Sequence, residues 1–223
     1  KNDNTAYLSV NKLKKIKMVR PKFKKKKIVL EGGSIDVNGK GLLLTTAQCL
    51  LSSVQQRNKG FNKNDYGQIF NKFFGVRKVI WLNKGICGDD THGHIDDIAR
   101  FIDKNKIFIA VENNKKDKNF KNLNENLKII KKFKKENNEK FKIIKIPMPN
   151  PKFIDGIRLP ASYLNFYIAN KIVLVPSFND PKDKIILKIF KKHFKNRRII
   201  QIDCSILVWG FGTIHCLTQQ EPI

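Results

Sequence analysis

The sequence predicts an α/β fold made of three copies of a strand–strand–helix–strand unit. Amphipathic helices are predicted to start near residues 64, 121 and 181, so the pattern recurs after about sixty residues. Two strands precede each helix, whereas a doubly wound parallel sheet needs strands and helices that alternate one by one. The repeat therefore indicates blades around a common axis, with loops from distant blades meeting at one end.

The first unit spans roughly residues 28–84. The sequence Asn-Gly-Lys-Gly at 38–41 predicts a hairpin turn, and apolar side chains at helical spacing begin at Tyr66. The lysine-rich stretch 2–26 before this unit resembles the remainder of a helix and a strand. The predicted elements are strands at 28–30 and 42–46, a helix at 65–74 and a strand at 79–82.

The second and third units span roughly residues 94–147 and 161–203. Pro181 suits the first turn of the third helix, where a backbone N–H group has no partner within the helix. The predicted elements are strands at 95–102 and 106–111, a helix from 121 and a strand at 141–146, followed by strands at 162–168 and 172–175, a helix at 181–194 and a strand at 199–202.

The composition is that of a strongly basic globular protein. The chain has 223 residues, of which 41% are hydrophobic, and can bury a core. A formal net charge of +26 is typical of proteins that bind nucleic acid or anionic membranes. Lysines interleaved with asparagine, isoleucine and phenylalanine also arise from biased codon use, however. Because no RNP-like motif, zinc-finger spacing or arginine cluster occurs, we do not expect a nucleic-acid partner.

Targeting signals are absent from the printed sequence. No apolar run approaches the roughly 20 residues of a membrane-spanning helix, and no signal peptide opens the chain. We therefore expect a cytoplasmic protein without a membrane partner, and we leave a homo-oligomer open.

Four cysteines occur without a Cys-x-x-Cys pair, which argues against a zinc ribbon, a thioredoxin-type site or a disulfide framework. The setting of Cys216 is distinctive. Gly210 and Gly212 permit close backbone approach, and Gln219 and Gln220 would be costly in a core. A free cysteine is more often a small buried hydrophobe. We keep that structural interpretation for Cys49, Cys87 and Cys204.

A short loop before the second unit concentrates imidazoles and carboxylates. His92 and His94 lie there with Asp89, Asp90 and Asp96. These residue types suit acid–base chemistry. Metal binding is the alternative, because His-x-His and carboxylates are legitimate ligands. We rank a metal site lower, because no further ligand set stands out.

The remaining histidines are weaker candidates. His193 lies in a lysine-rich helix and is predicted to be exposed. His215 adjoins Cys216, but neighbouring side chains on a strand point to opposite faces. On that basis His215 is expected to be a poor partner for the thiol.

A thiolate, an imidazole and carboxylates together can hydrolyse a guanidinium group. Carboxylates grip this planar cation through paired N–H bonds. A thiolate can attack its carbon, and an imidazolium can protonate the departing ammonia. The same histidine would then act as a base while water hydrolyses the amidino-cysteine. The residue types alone would equally permit a papain-like acyl transfer.

Four ordered motifs resemble those of agmatine deiminase, in the family shared with bacterial peptidylarginine deiminases. They are LEGGSIDVNGKG at 30–41, GDDTHGHIDDIARF at 88–101, RLPASYLNFYI at 158–168 and GTIHCLTQQEP at 212–222. The sequence PSFNDP at 176–181 also matches. Because these motifs are ordered and spread over nearly the whole chain, they are far more specific than a lone Gly-His-x-Asp.

The resemblance implies a fold and a reaction. The fold would be the five-bladed α/β propeller (pentein) of guanidino-modifying enzymes, with about three blades present here. The reaction would be cofactor-free hydrolysis of agmatine to N-carbamoylputrescine and ammonia, in putrescine and polyamine biosynthesis. Cys216 falls on the nucleophile and His94 on the general acid/base, while Asp96 and Asp90 fall on substrate-binding positions.

Two other motif positions, Glu31 and Asn165, carry no role that the resemblance assigns. A peptidyl-arginine or free-arginine-derivative deiminase is the alternative within the family. An inactive, lysine-rich nucleic-acid-binding module is the alternative of another class.

The sequence also departs from the family pattern. The family usually begins with further blades that contain a Trp-x-Arg-Asp-x-Gly-Pro motif, and its aspartate clamps the guanidinium. Gly-Phe-Gly-Thr at 210–213 replaces the usual Gly-Gly-Gly-Asn, and His92 replaces an Asn or Asp. We therefore expect residues 1–223 to be a single, N-terminally incomplete catalytic domain, with little activity on its own and with exposed apolar strand edges.

Overall fold

The structure is a computed structural model and describes residues 19–220. Most of the stretch expected to hold the remainder of a helix and a strand, residues 1–18, lies outside that range. Its described end forms a small antiparallel hairpin of β1 (Lys22–Phe23) and β2 (Lys26–Lys27).

Three separate three-stranded sheets follow, and all have the same internal order. In each sheet the middle strand is antiparallel to the strand before it and parallel to the strand after it, with a helix in the parallel connection. The first sheet contains β3 (Asp36–Val37), β4 (Leu42–Thr46) and β5 (Lys78–Leu82), and its connection contains α1 (Ala47–Leu51) and α2 (Lys63–Phe74).

The second and third sheets repeat this order with one long helix each. The second contains β6 (Ala99–Asp103), β7 (Lys106–Val111), α3 (Phe120–Glu136) and β8 (Lys142–Pro147). A hairpin of β9 (Phe153–Ile154) and β10 (Ile157–Arg158) precedes the third sheet. The third contains β11 (Tyr167–Ile168), β12 (Ile172–Ser177), α4 (Asp183–His193) and β13 (Arg198–Asp203).

Local sequence explains the helices. The helix α2 begins at a capping box, in which Asn62 and Asp65 bond each other's backbone N–H groups. It ends at Gly75, whose φ of 64° is the left-handed conformation that glycine adopts readily. The helix α3 buries Leu123, Leu127 and Ile130 along one face. The helices predicted near residues 64 and 121 are therefore confirmed.

The strands that open the units are shorter than the sequence predicts. Residues 28–30 form no strand, and the predicted strand at 95–102 starts with a 3₁₀ turn, Ile95–Asp97. Only Tyr167–Ile168 of the predicted strand at 162–168 is extended and paired. Ser162 explains the last case, because its hydroxyl accepts a bond from the N–H of Leu164 and favours a local turn over a ladder. The third helix begins at Asp183, two residues after Pro181.

Buried polar contacts join the sheets. Asp36, at the start of β3, accepts bonds from the Nε of Arg100 (3.0 Å) and the backbone N–H of Phe101 (2.8 Å). The same arginine donates to the carbonyl of Phe166 (3.1 Å), and its guanidinium lies 4.9 Å from the centre of that ring. Burial raises the pKa of Asp36, although the charge of Arg100 opposes the shift. One buried arginine thus links all three sheets.

Among residues 19–220, no helix is long and apolar enough to cross a membrane.

Candidate active site

Three loops converge at one end of the sheets. Glu31 lies before β3, His94 before β6 and Asn165 before β11. Because each opening strand is antiparallel to its middle strand, all three loops lie at the end where the middle strands finish. A cavity of about 470 Å³ lies there, and Cys216 lines it. Its charged or titratable lining residues are Glu31, Asp90, His94, Asp96, His215 and Cys216, with no lysine or arginine from the described part of the chain.

Cys216 lies in a turn beside carboxylates. The amide Nδ2 of Asn165 donates to its Sγ (3.1 Å), and the Sγ lies 3.7 Å from the Oδ2 of Asp96. A side chain at Gly212 would approach the Cβ of Cys216 to 2.8 Å, so the turn requires a glycine there. The protein atoms around the sulfur raise the pKa of the thiol, and the charges of Asp96 and Asp97 raise it further.

Asn165 fixes the turn that carries the thiol. Its Oδ1 accepts bonds from the hydroxyl of Thr213 (2.9 Å) and from the N–H groups of His215 (3.0 Å) and Cys216 (3.3 Å). Its Nδ2 also donates to the Oδ1 of Asp97 (3.0 Å). This single amide therefore holds the turn against the loops of the second and third sheets. Thr213, where the family pattern has Asn, contributes one of these bonds.

His94 is buried next to Glu31 and Cys49. Its Nε2 lies 3.4 Å from the Oε2 of Glu31, and burial leaves this nitrogen without a hydrogen bond. The Nε of Arg57 donates to both carboxylate oxygens of Glu31 (3.0 Å each). Burial alone would lower the pKa of His94, but contacts with Cys49 and Glu31 and the charge of Asp96 raise it to about 10. At neutral pH the ring is therefore an imidazolium, the form that can donate a proton.

His215 contacts the site through Asp96, and its predicted place on a strand is wrong. Residues 214–217 form a turn rather than a strand, and alternation of side chains does not apply. The Nδ1 of His215 lies 2.7 Å from the Oδ2 of Asp96. The other carboxylate oxygen, Oδ1, is buried without a partner. Burial opposes ionisation of Asp96, but His215, His94 and Arg100 lower its pKa.

The other residues of the acidic loop lie at different depths. Asp89 organises the loop, because its carboxylate accepts bonds from the N–H groups of Thr91 (2.9 Å), Gly93 (2.7 Å) and His94 (3.1 Å). Asp90 is exposed and lines the cavity. His92 adopts a φ of 59° and does not line the cavity.

The structure thus gathers the four predicted residues Cys216, His94, Asp96 and Asp90 around one cavity. Reasoning from sequence left Glu31 and Asn165 without a role and placed His215 on a strand, although residues 214–217 form a turn. The recurrent motifs around the first two were the available signal. No sequence signal indicated the contact between Asp96 and His215, which depends on the geometry of a turn. Within residues 19–220, Glu31, Cys49 and His94 also form a group of side chains of metal-ligand type beside the cavity.

Comparison with known proteins gives a consistent result. The profile of the Porphyromonas-type peptidyl-arginine deiminase family matches residues 1–222. A putative agmatine deiminase of Legionella pneumophila (strain Paris) is 38% identical over 196 residues, which are 87% of this chain and 56% of the relative.

Solved structures agree with the sequence matches. A Cys-to-Ser variant of C. jejuni agmatine deiminase with substrate bound superposes with a TM-score of 0.81 at 34% identity, over 95% of this chain and 60% of that one. A putative peptidyl-arginine deiminase superposes with a TM-score of 0.87 at 36% identity, over 98% of this chain and 64% of that one. The chain therefore spans less than two thirds of the length of these relatives.

Proposed function

This chain belongs to the Porphyromonas-type peptidyl-arginine deiminase family, and we propose that it contributes the catalytic cysteine and histidine of an agmatine deiminase. The reaction would hydrolyse the guanidinium of agmatine to N-carbamoylputrescine and ammonia. The agmatine deiminases among its relatives support agmatine as the substrate. Putrescine and polyamine biosynthesis is the pathway that such an activity would serve.

The observation that carries the proposal is the unpartnered carboxylate oxygen of Asp96. Its Oδ1 is buried without a hydrogen bond, although its Oδ2 contacts His215 and lies 3.7 Å from the sulfur of Cys216. A buried anionic oxygen without a donor is costly. A guanidinium N–H group would satisfy it and would bring the guanidinium carbon next to the thiol. Asp90, at the exposed side of the cavity, is the second carboxylate that we assign to the substrate.

The nucleophile has to be generated when the substrate binds. Because the protein atoms around the sulfur and the charges of Asp96 and Asp97 raise the pKa of the Cys216 thiol, little thiolate exists in the free site at neutral pH. A bound guanidinium would offset these carboxylates and favour the thiolate. The cationic substrate therefore activates its own nucleophile, and neutral ligands do not.

The proposed reaction has two steps. The thiolate of Cys216 attacks the guanidinium carbon, and His94 gives a proton to the nitrogen that leaves as ammonia. Water then attacks the amidino carbon of the covalent intermediate. His94 removes a proton from that water, the bond between carbon and sulfur breaks, and the ureido product leaves. Glu31 would hold the imidazolium of His94, and His215 would hold Asp96 in position.

We further propose that the three sheets belong to a five-bladed propeller. The three sheets have the same order, and their opening loops meet at one cavity, as three neighbouring blades would arrange them. We propose that they are blades of one catalytic domain that includes residues 1–223. The part of the relatives' length that this chain does not match would hold the other blades and a further aspartate that clamps the guanidinium. A cytoplasmic location and a homo-oligomer stay predictions.

A competition between substrates tests the function. Agmatine, free arginine and an arginyl peptide are offered together to the chain and to the complete product of its gene, and ureido products are identified by mass spectrometry. We expect product from agmatine with the complete gene product and none after Cys216→Ala. The matched control is Cys204→Ala, which removes a buried thiol that does not line the cavity.

Other outcomes would point elsewhere. Product only from the peptide would keep the mechanism and overturn the substrate. No product from any of the three would contradict the proposed function. The inactive nucleic-acid-binding module is not favoured, because the cavity is lined by carboxylates and by no lysine or arginine of residues 19–220.

A further inference from the structure

A second cluster of reactive side chains lies behind the cavity. The Sγ of Cys49, a carboxylate oxygen of Glu31 and a ring nitrogen of His94 all lie within 4.8 Å of one another. Cys49 is fully buried in the middle of α1 and does not line the cavity, whereas the other two residues do. The thiol of Cys49 forms no bond with the substrate in the reaction proposed above, although it contacts His94. Thiolate, imidazole and carboxylate are the three ligand types that zinc accepts in proteins.

Hydrogen bonds hold the three residues in place. The hydroxyl of Thr46 donates to the carbonyl of Gly93 (2.6 Å), and its oxygen accepts a bond from the N–H of Cys49 (3.0 Å). One hydroxyl therefore joins the helix that carries Cys49 to the loop that carries His94. The Nε of Arg57 donates to both carboxylate oxygens of Glu31 (3.0 Å each) and fixes this side chain beside His94.

A buried nitrogen of His94 makes an ion-pair contact with Glu31 but no hydrogen bond. His94 is 8% exposed, and its Nε2 is buried without a hydrogen bond, 3.4 Å from the nearest carboxylate oxygen of Glu31. Buried polar atoms in folded proteins nearly always have a partner. The Nε2 also belongs to one of the two cluster residues that border the cavity, so a small ion can enter from the substrate side.

We propose that Glu31, Cys49 and His94 form an inhibitory site for a thiophilic divalent cation, of which Zn²⁺ is the representative. Three protein ligands leave the fourth tetrahedral position open toward the cavity for water. The proposed site does not suit Mg²⁺, because Mg²⁺ prefers oxygen ligands in octahedral geometry. The thiolate and the carboxylate neutralise the dication, which offsets the repulsion from Arg57.

Binding exchanges protons for the metal. The thiol of Cys49 loses its proton to solvent, and an imidazolium at His94 loses one of its two, so that sulfur and nitrogen can each donate an electron pair to the cation. The occupied His94 can then neither protonate ammonia nor deprotonate water. The inhibition therefore rests on the proposed function, whereas the binding itself does not.

A cobalt titration tests the binding without any turnover. Co²⁺ substitutes for Zn²⁺, and its bond to a thiolate gives a near-ultraviolet charge-transfer absorption. The titration uses the chain with Cys216→Ala, Cys87→Ser and Cys204→Ser, in which Cys49 is the one thiol left. We expect the absorption to appear at one Co²⁺ per chain and to disappear when Zn²⁺ is added in equal amount. It should survive an excess of Mg²⁺.

Two ligand variants complete the test. Cys49→Ser should abolish the absorption, and Glu31→Gln should weaken Co²⁺ binding by at least about tenfold, the lower end of the loss seen for outer-shell partners. Circular dichroism must show that each variant is folded. The single-thiol chain alone can overturn the proposal: a folded chain that gives no thiolate-to-cobalt absorption has no such site.

Inhibition provides the second readout. If agmatine is turned over, Zn²⁺ should stop turnover, a chelator should restore it, and Cys49→Ser should need at least about tenfold more Zn²⁺ for half inhibition. Cys204→Ser is the matched buried-thiol control and should not change that concentration. A cobalt absorption in the single-thiol chain without agmatine turnover by the complete gene product would contradict the proposed function and leave the metal site intact.

Discussion

Two cavities of this molecule have opposite electrostatic character. The candidate active site, of about 470 Å³, is lined by Glu31, Asp90 and Asp96 without any lysine or arginine of the described range. A larger cavity of about 780 Å³ lies beside the hairpin turn between β6 and β7, and its one acidic residue is Asp103. We refer to it as the basic cavity. Its cationic lining residues are Lys104, Lys106, Lys140, Lys142 and Arg197.

The difference shows that net charge predicts little about a site. The chain carries a formal charge of +26, yet its reactive residues lie in a cavity lined by carboxylates. Buried charges interact through a low effective dielectric, whereas exposed lysines are screened by water and salt. A cationic guanidinium is therefore stabilised in the first cavity and repelled by the second.

The largest expected effect concerns the thiol of the acidic cavity. Cys216→Ala should lower agmatine turnover by the complete gene product by about 10⁶-fold, the scale of loss when a nucleophile is removed. Covalent labelling by a haloacetamidine should disappear from the chain in the same variant, as measured by intact mass. The matched control is Cys87→Ala, a half-buried thiol outside the cavity. Undiminished labelling of Cys216→Ala would sink the assignment.

Asp96→Asn should separate cationic from neutral reagents. Loss of one buried charge that grips the cation should slow haloacetamidine labelling of Cys216 by at least about a hundredfold. Neutral iodoacetamide should instead react about tenfold faster at pH 8, because each unit by which the thiol pKa falls gives tenfold more thiolate. Asp103→Asn in the basic cavity is the control and should change neither rate. Parallel changes in both rates would show that Asp96 acts only through folding.

Two histidines should titrate in opposite directions from their ordinary pKa. Glu31, Asp96 and the contact with Cys49 raise the pKa of His94 to about 10 against the effect of burial, whereas burial and the charges of Lys106 and Lys192 lower that of His193. NMR of the imidazole resonances, assigned with His→Gln variants, measures both. A normal pKa near 6.5 for His94 would break the contrast between the two regions.

The contribution of His94 to the stability of the folded protein should depend on pH. Because the folded-state pKa of His94 exceeds the unfolded value, its contribution is fully present below about pH 6.5 and is lost as pH rises toward about 10. The difference in unfolding free energy between the wild type and His94→Gln should shrink over that window by at most about 1.4 kcal/mol per pH unit. Urea unfolding at a series of pH values measures it.

The smallest expected effect comes from the basic cavity. Lys140→Glu should change the KM for agmatine by less than about twofold at physiological salt, because exposed charges are screened beyond about 8 Å. The two cavities share no lining residue. Steady-state kinetics at low and physiological salt measure the change. A tenfold change in KM at physiological salt would mean that the charge of the whole surface, and not that of the candidate active site, selects the substrate.

Much of the regular structure could be predicted because it depends on short-range patterns. The helix α2 follows from apolar spacing, and the turn before β4 follows from its Asn-Gly sequence. The length of β11, the strand that opens the third sheet, could not be predicted from the sequence. The side chain of Ser162 bonds the backbone there, and that choice between turn and ladder depends on a single hydroxyl.

The site divides in the same way. The reactivity of a thiol or an imidazole is evident from the residue type, so Cys216 and His94 could be selected from the sequence. An amide has no distinctive reactivity, and Asn165 matters through bonds to a turn 48 to 51 residues away. The contact between His215 and Asp96 joins residues 119 positions apart. No local pattern encodes such pairs.

The packing around Gly33 adds a consequence for mutational tolerance. A Cβ there would approach the Nδ1 of His94 to 2.5 Å and the Oδ2 of Asp96 to 2.8 Å. Gly33 does not adopt a positive φ, so its backbone accepts alanine without strain. One added methyl group would therefore displace both side chains while every charged and nucleophilic group stayed in the chain. In a saturation library selected for turnover, position 33 should tolerate glycine alone, and Gly33→Ala would serve as an inactive reference with unaltered charge.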